Sequence, residues 1–215
     1  SDKYLLNFAY YISEFQAHRL FEKLSDNLKN RLNKAAAELP STLRHFFFEP
    51  SFCLLNRAYD HYLYITLASN QHSEGHLKHI FIWQDDSVLG TTGLLTKMEA
   101  PSSNSGDLKF ILKGKELGLH LYLEREYGQW QNLVAAWNDN SKPPNDQWTI
   151  QLRGNHLVFS QLGVNLCASA KTINNKRRYV YGLAKDFDDA ACQWEAKNCA
   201  KEPEGLIENF KFFIS

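Results

Sequence analysis

NHLVFSQLGVNLCASAKTINNKRRYVYGLAKDFDDAACQWEAKNC, residues 155–199, is the stretch whose reading decides the fold. HLVFSQ, VNLCASA, RYVYGLA and CQWEAKNC are short runs rich in Val, Leu, Phe and Tyr, with Gly, Asn, Asp and Ser between them. Runs of this length and composition, punctuated in this way, are strands joined by turns. The same pattern can be laid twice over the preceding residues at a spacing of about 50, which marks an internal repeat.

The middle unit is LKFILKG (108–114), then GLHLYLE, NLVAAWND and DQWTIQL. The first, from Phe52 to about Met98, is FCLLN, YLYITLAS, HIFIWQDD and LLTKME. Register supports the repeat better than any single strand does. Trp83, Trp137 and Tyr181 stand near the end of the third strand of their units, and each precedes an acidic turn: Asp85-Asp86, Asp139 and Asp186 to Asp189. Trp148 and Trp194 each follow a Gln on the fourth strand, where the first unit has Leu94 and Leu95. A propeller also repeats four strands but needs at least four blades. Three such units close instead as a small barrel with a hairpin cap.

Twelve strands in three such units resemble the β-trefoil fold, over roughly residues 50–199. WTIQLRGNHLVFSQLGVNL and RYVYGLA are similar to the trefoil of the insect haemolymph 30-kDa lipoproteins, in which a short helical segment precedes the trefoil. The resemblance implies a mainly β protein: a helical segment over 1–49, a β-trefoil over 50–199, and a tail over 200–215 that packs back on the domain.

Residues 3–37 place Leu5, Phe8, Ile12, Phe15, Leu20, Leu24 and Leu28 at mostly helical intervals with charges between them. Ser25-Asp26 marks a break or a restart, since both residues favour helix caps. Pro40-Ser41-Thr42 ends the pattern, and TLRHFFFEP reads as a short turn leading to Pro50. Two roles stand for this segment: a helix or helix pair packed on the barrel, or an amphipathic lipid-binding element. Its intermixed acids and bases favour the first. In the tail, Phe210, Phe212, Phe213 and Ile214 are too apolar to stay free, and the expectation is that they return to the N-terminal helix or the barrel base.

The 215 residues suit one domain with an appendage, and 44% hydrophobic composition does not indicate disorder. Lys plus Arg and Asp plus Glu balance at 24 each, so the basic excess wanted by nucleic-acid binding is missing. No apolar run is long enough for a transmembrane helix. The four cysteines show no CxxC spacing. Cys192 and Cys199 bracket QWEAKN closely enough for a local bridge, and Cys53 and Cys167 would then pair between the first and third units. Bridges imply a secreted protein; the alternative is four buried free thiols.

His61, His72, His76 and His79 fall within a short span read as a hairpin loop, where solvated histidines are expected and no metal site. No nucleophile elbow, H-E-x-x-H, P-loop or G-x-G-x-x-G occurs, so neither an enzyme nor a cofactor is expected. Lys171, Lys176, Arg177 and Arg178 make a basic stretch between strands, read either as an exposed hairpin or as a patch for sulfated glycan, phosphate or an acidic protein. The Gln-Trp pairs at 147–148 and 193–194 are similar to the Q-x-W repeat of R-type lectins, in which the tryptophan is core, so Trp148 and Trp194 are assigned to the core.

Trp130 in EREYGQWQN, with Tyr127, Gln129 and Asn132 beside it, is the candidate ligand site: an aromatic ring flanked by amides, or else a staple for its loop. The function expected is therefore a secreted, non-enzymatic trefoil binding protein for carbohydrate or a small apolar ligand. A protein-interaction module (protease inhibitor, toxin component or immune modulator) is the alternative, with PSSNSGD (101–107) as its inhibitory loop.

Overall fold

The computed structural model describes residues 1–69, 77–84, 92–100, 107–127, 130–137, 145–173 and 176–199. Three α-helices lead: α1 (Asp2–Ala17), α2 (Asp26–Ala37) and α3 (Ser41–Phe48). Ser25 accepts a hydrogen bond from the Leu28 amide and caps α2, so the Ser25-Asp26 signal marks a helix restart. TLRHFFFEP, expected as a turn, is mostly helix. Pro40 ends the preceding segment but also stands at the N-cap of α3, a position where its missing N–H costs nothing.

The strands follow in chain order. The first unit has β1 (Cys53–Asn56), β2 (His61–Ser69), β3 (Lys78–Trp83) and β4 (Leu95–Glu99). The second has β5 (Lys109–Gly114), β6 (His120–Tyr127), β7 (Trp130–Trp137) and β8 (Gln147–Arg153). The third has β9 (His156–Gln161), β10 (Val164–Ile173), β11 (Arg177–Leu183) and β12 (Trp194–Lys197). The first and fourth strands of the units pair around a ring, β1–β12–β9–β8–β5–β4. Phe52 and Leu95 close it by exchanging backbone hydrogen bonds of 2.9 and 2.7 Å. The second and third strands form hairpins β2–β3, β6–β7 and β10–β11, and each hairpin pairs with the other two through β3, β7 and β11.

Register explains the tryptophan pattern. Trp194 faces Asn56, and Leu95 faces Gly114 at the corresponding step of its own seam. Leu95 is thus the first unit's counterpart of the two tryptophans, and all three side chains are fully buried. Each indole N–H is satisfied at an equivalent place, Trp148 by the Leu121 carbonyl at 2.9 Å and Trp194 by the Leu166 carbonyl at 2.8 Å. A buried indole needs such an acceptor; a leucine does not.

The helices fill one end of the ring. Phe46 of α3 is fully buried and meets Phe52, Phe110 and Phe159, one ring from each unit, at centroid distances of 5.0, 5.5 and 6.1 Å. Thr42 Oγ1 accepts from the Ala196 amide at 2.8 Å, which pins α3 to β12. The Lys97 amine reaches the Phe47 carbonyl in the last turn of α3, and burial lowers its pKa to about 8.

The cysteine pairing differs from expectation. The bridges are Cys53–Cys199 and Cys167–Cys192. Residues 194–197 between Cys192 and Cys199 form an extended strand, whose ends are about 10 Å apart, too far for a local bridge. Antiparallel pairing of β1 with β12 sets Lys197 opposite Cys53, so Cys199 falls within reach of it. Residues 200–215, and with them the expected return of the tail, lie outside the described residues, as do 101–106 of PSSNSGD.

Because Phe46 touches all three units, Phe46→Ala should cost about 3–5 kcal/mol of folding stability, the range for large buried aromatics. Urea unfolding checks this. A loss below 1 kcal/mol, roughly what an exposed ring would give, would show that the plug is dispensable.

Candidate functional site

Successive residues of a strand point to opposite faces. In the sheet made by β2, β3 and β11, the inward set is Leu63, Ile65, Ile80, Ile82 and Val180, all fully buried in the main core. The outward set is Tyr62 and Tyr64 on β2, His79, Phe81 and Trp83 on β3, and Arg177, Tyr179 and Tyr181 on β11. The inward face is apolar and the outward face aromatic apart from Arg177, unlike a sheet with one solvated polar face.

Cross-strand register lines the outward residues into rows. Tyr62, Trp83 and Arg177 form one; Tyr64, Phe81 and Tyr179 form the next. Tyr64 lies 6.0 Å from Phe81 and 5.9 Å from Trp83, centroid to centroid. Phe81 lies 5.3 Å from Tyr179, which is 5.7 Å from Tyr181. His79 stacks on Phe81 at 5.6 Å and meets Tyr179 edge-on. Tyr64 and Phe81 are buried, while His79, Trp83, Tyr179 and Tyr181 remain half-buried. The result is one contiguous aromatic face.

Its polar atoms are few. The Tyr64 hydroxyl and His79 Nδ1 are buried, and neither has a hydrogen-bond partner among the described residues. Burial pushes the Tyr64 hydroxyl up to about 12, with Arg177 opposing, and raises Tyr179. Tyr181 is raised by burial and then by Tyr179, and burial lowers His79. All four are neutral near pH 7, so both unpartnered groups are available as neutral hydrogen-bonding groups.

The residues singled out in the sequence fall elsewhere or are split up. Tyr127 and Trp130 are not in a loop: they end β6 and begin β7, directly opposite each other. Their side chains, and Gln129 between them, lie outside the described residues. Asn132 sits at φ 53 within β7 and is half-buried. His61 opens β2 and His79 is in β3, so these two are strand residues; His72 and His76 lie outside the described residues.

The basic stretch divides. Lys171 (in β10) and Lys176 are exposed, while Arg177 and Arg178 are neighbours in a strand and point apart. Arg178 donates to the Ala170 carbonyl at 2.6 Å and lies 4.0 Å from the Tyr59 ring centroid. Arg177 instead stacks on Trp83 at 4.5 Å. The aromatic face is the feature that sequence reading missed. Its signal was the i, i+2 recurrence of rings in YLY, FIW and YVY, but only the pairing of β3 with β11, two units apart in the chain, brings them together.

By sequence, no family model and no curated protein matches the chain. By structure it is similar to a Caenorhabditis elegans protein of unknown function, with a TM-score of 0.56 at 13% identity, covering 69% of this chain and 93% of that one. It is also similar to ThreeFoil, a designed 3-fold symmetric protein, with a TM-score of 0.54 at 13% identity, covering 70% and 99%. A Polyporus squamosus lectin is similar with a TM-score of 0.51 at 11% identity, covering 68% of this chain and 48% of that one. At these identities the likeness is one of fold, and it is a likeness to β-trefoil-like proteins.

A buried hydroxyl without a partner costs stability, and the Tyr64 hydroxyl has none among the described residues. Tyr64→Phe should therefore leave the free protein as stable as before or stabilise it by up to about 1 kcal/mol. Denaturant unfolding is the check, and a loss of more than 1 kcal/mol, roughly that of a broken hydrogen bond, would show that the hydroxyl is already satisfied.

Proposed function

We propose that this chain is a secreted, non-enzymatic β-trefoil protein that binds carbohydrate on the outward face of β2, β3 and β11. The observation that carries the reading is the row of packed rings in which the Tyr64 hydroxyl and His79 Nδ1 have no hydrogen-bond partner among the described residues. Sugar rings present C–H faces that stack on aromatic side chains, and hydroxyls that need donors and acceptors at the edge. The closed ring of first and fourth strands, with its cap of three hairpins, supports the trefoil assignment. The two disulfides support an oxidising, extracellular setting. Held neutral by burial, His79 and the tyrosines suit binding better than proton transfer near pH 7.

Helices before strands also match the plan of the 30-kDa lipoproteins, but an apolar cargo finds less support. The cavity between α1 and β8 holds about 260 Å³, small beside typical ligand pockets, and Asp2, Lys3, Asp107 and Arg153 contribute to its lining. The competing protein-interaction reading has a specific observation in its favour: Tyr4 and Tyr11 of α1 are 67% and 62% exposed.

A glycan array with the wild-type protein, Trp83→Ala and Tyr179→Ala tests the proposal. Wild type should bind a restricted set of glycans, and each variant should lose about fivefold or more in affinity while still folding, as expected when a stacking anchor is removed. An array without any bound glycan would overturn it and favour the protein-interaction reading.

A further inference from the structure

The aromatic face carries a fixed positive charge on Arg177. Arg177 lies opposite Trp83 in the β3–β11 register, with its guanidinium stacked on the indole. Stacking holds the guanidinium over the ring without consuming its N–H donors. Among the described residues no carboxylate pairs with Arg177 and no acceptor takes a hydrogen bond from it. Arg178, next in the chain, shows the contrast: it is anchored on the opposite side by the Ala170 carbonyl and the Tyr59 ring. Arg178 is held by the protein, whereas Arg177 keeps its N–H donors uncommitted among the described residues.

The surroundings sharpen the selectivity. Among the described residues, the groups beside Arg177 on this face are Tyr62, Trp83, Tyr64 and Tyr179, none of them an acid. Tyr179 lies two residues along β11, about 7 Å from Arg177. A sugar ring stacked on Tyr179 therefore brings an exocyclic substituent to the guanidinium. Exposed Lys171 and Lys176 on the same hairpin add a positive field of longer range.

We propose that this face is built for an acidic sugar, one carrying a carboxylate or a sulfate, which Arg177 grips through its planar fork while the sugar ring stacks on Tyr179. The guanidinium fork matches the oxygens of either group, and such charge-assisted pairs are about twice as strong as neutral hydrogen bonds. The proposal rests on the carbohydrate reading above and narrows it to a ligand class.

The test uses the full chain and matched sets of one disaccharide: a glucuronate-terminated form, a sulfated form and the neutral glucose-terminated form, measured by calorimetry at low and at physiological salt. The acidic forms should bind at least about tenfold more tightly than the neutral one. Arg177→Gln should remove that preference, leaving residual binding equal to that of the neutral sugar. Arg177→Lys, a point charge without the fork, should restore it only in part. Preference for glucuronate alone or for sulfate alone identifies the source of the acidic group, and either outcome supports the proposal if Arg177→Gln abolishes it. Equal binding of acidic and neutral forms, or a preference that survives Arg177→Gln, overturns the proposal and leaves the carbohydrate reading intact. Failure of every form to bind overturns the proposal, and an array without any bound glycan overturns the carbohydrate reading with it.

Discussion

The structure depends on a phenylalanine outside the repeat. Phe46 inserts from α3 into the end of the strand ring and touches one aromatic from each of the three units. A small barrel must be filled by side chains, and its own strands supply Leu54, Leu112, Leu152, Leu157 and Phe159. The end of the ring is closed by the helix. This constraint explains why α3 is tied down so heavily, by Thr42 and His45 to the backbone of Ala196 and by Lys97 at its last turn. The Cys53–Cys199 bridge reinforces the same region, at the seam where the first strand of the ring meets the last.

With the ring closed, the hairpins have little freedom. Each must send one set of residues inward against the core, and β3, β7 and β11 must pair with one another around the cap. Folding therefore fixes Leu63, Ile65, Ile80, Ile82 and Val180. It places no such demand on the opposite face, which in an antiparallel sheet is commonly polar. Here that face carries tyrosines, a phenylalanine, a tryptophan and an arginine, and the Tyr64 hydroxyl is buried there without a hydrogen-bond partner among the described residues. The inward residues account for the fold, and the outward ones are not required by it.

The sequence made the repeat legible because the fold reuses one solution. Strand runs, acidic turns and the Gln-Trp pairs recur at matching places, and the core assignment of Trp148 and Trp194 follows from them. What depends on register was not legible. Cys192 and Cys199 are near in sequence, but the strand between them is extended, so the partners of both cysteines come from distant segments. In the sequence Trp130 is a ring beside amides, yet its place at the start of β7 is set by pairing with Tyr127. The aromatic face was hidden for the same reason, since Trp83 and Arg177 are neighbours only once the first and third units meet. Helix α3 was obscured by Pro40, which marks a helix start as readily as a stop.

The central claim is that ligand sits on the outward face of β2, β3 and β11. Chemical-shift mapping tests it most directly, with the aromatic side chains and backbone amides followed as the tightest-binding glycan is titrated in. The account predicts the largest shifts at Tyr64, Phe81, Trp83, Arg177 and Tyr179. Shifts confined to Tyr127, Trp130 and Asn132 at the β6–β7 hairpin, or to the exposed face of α1, would contradict it.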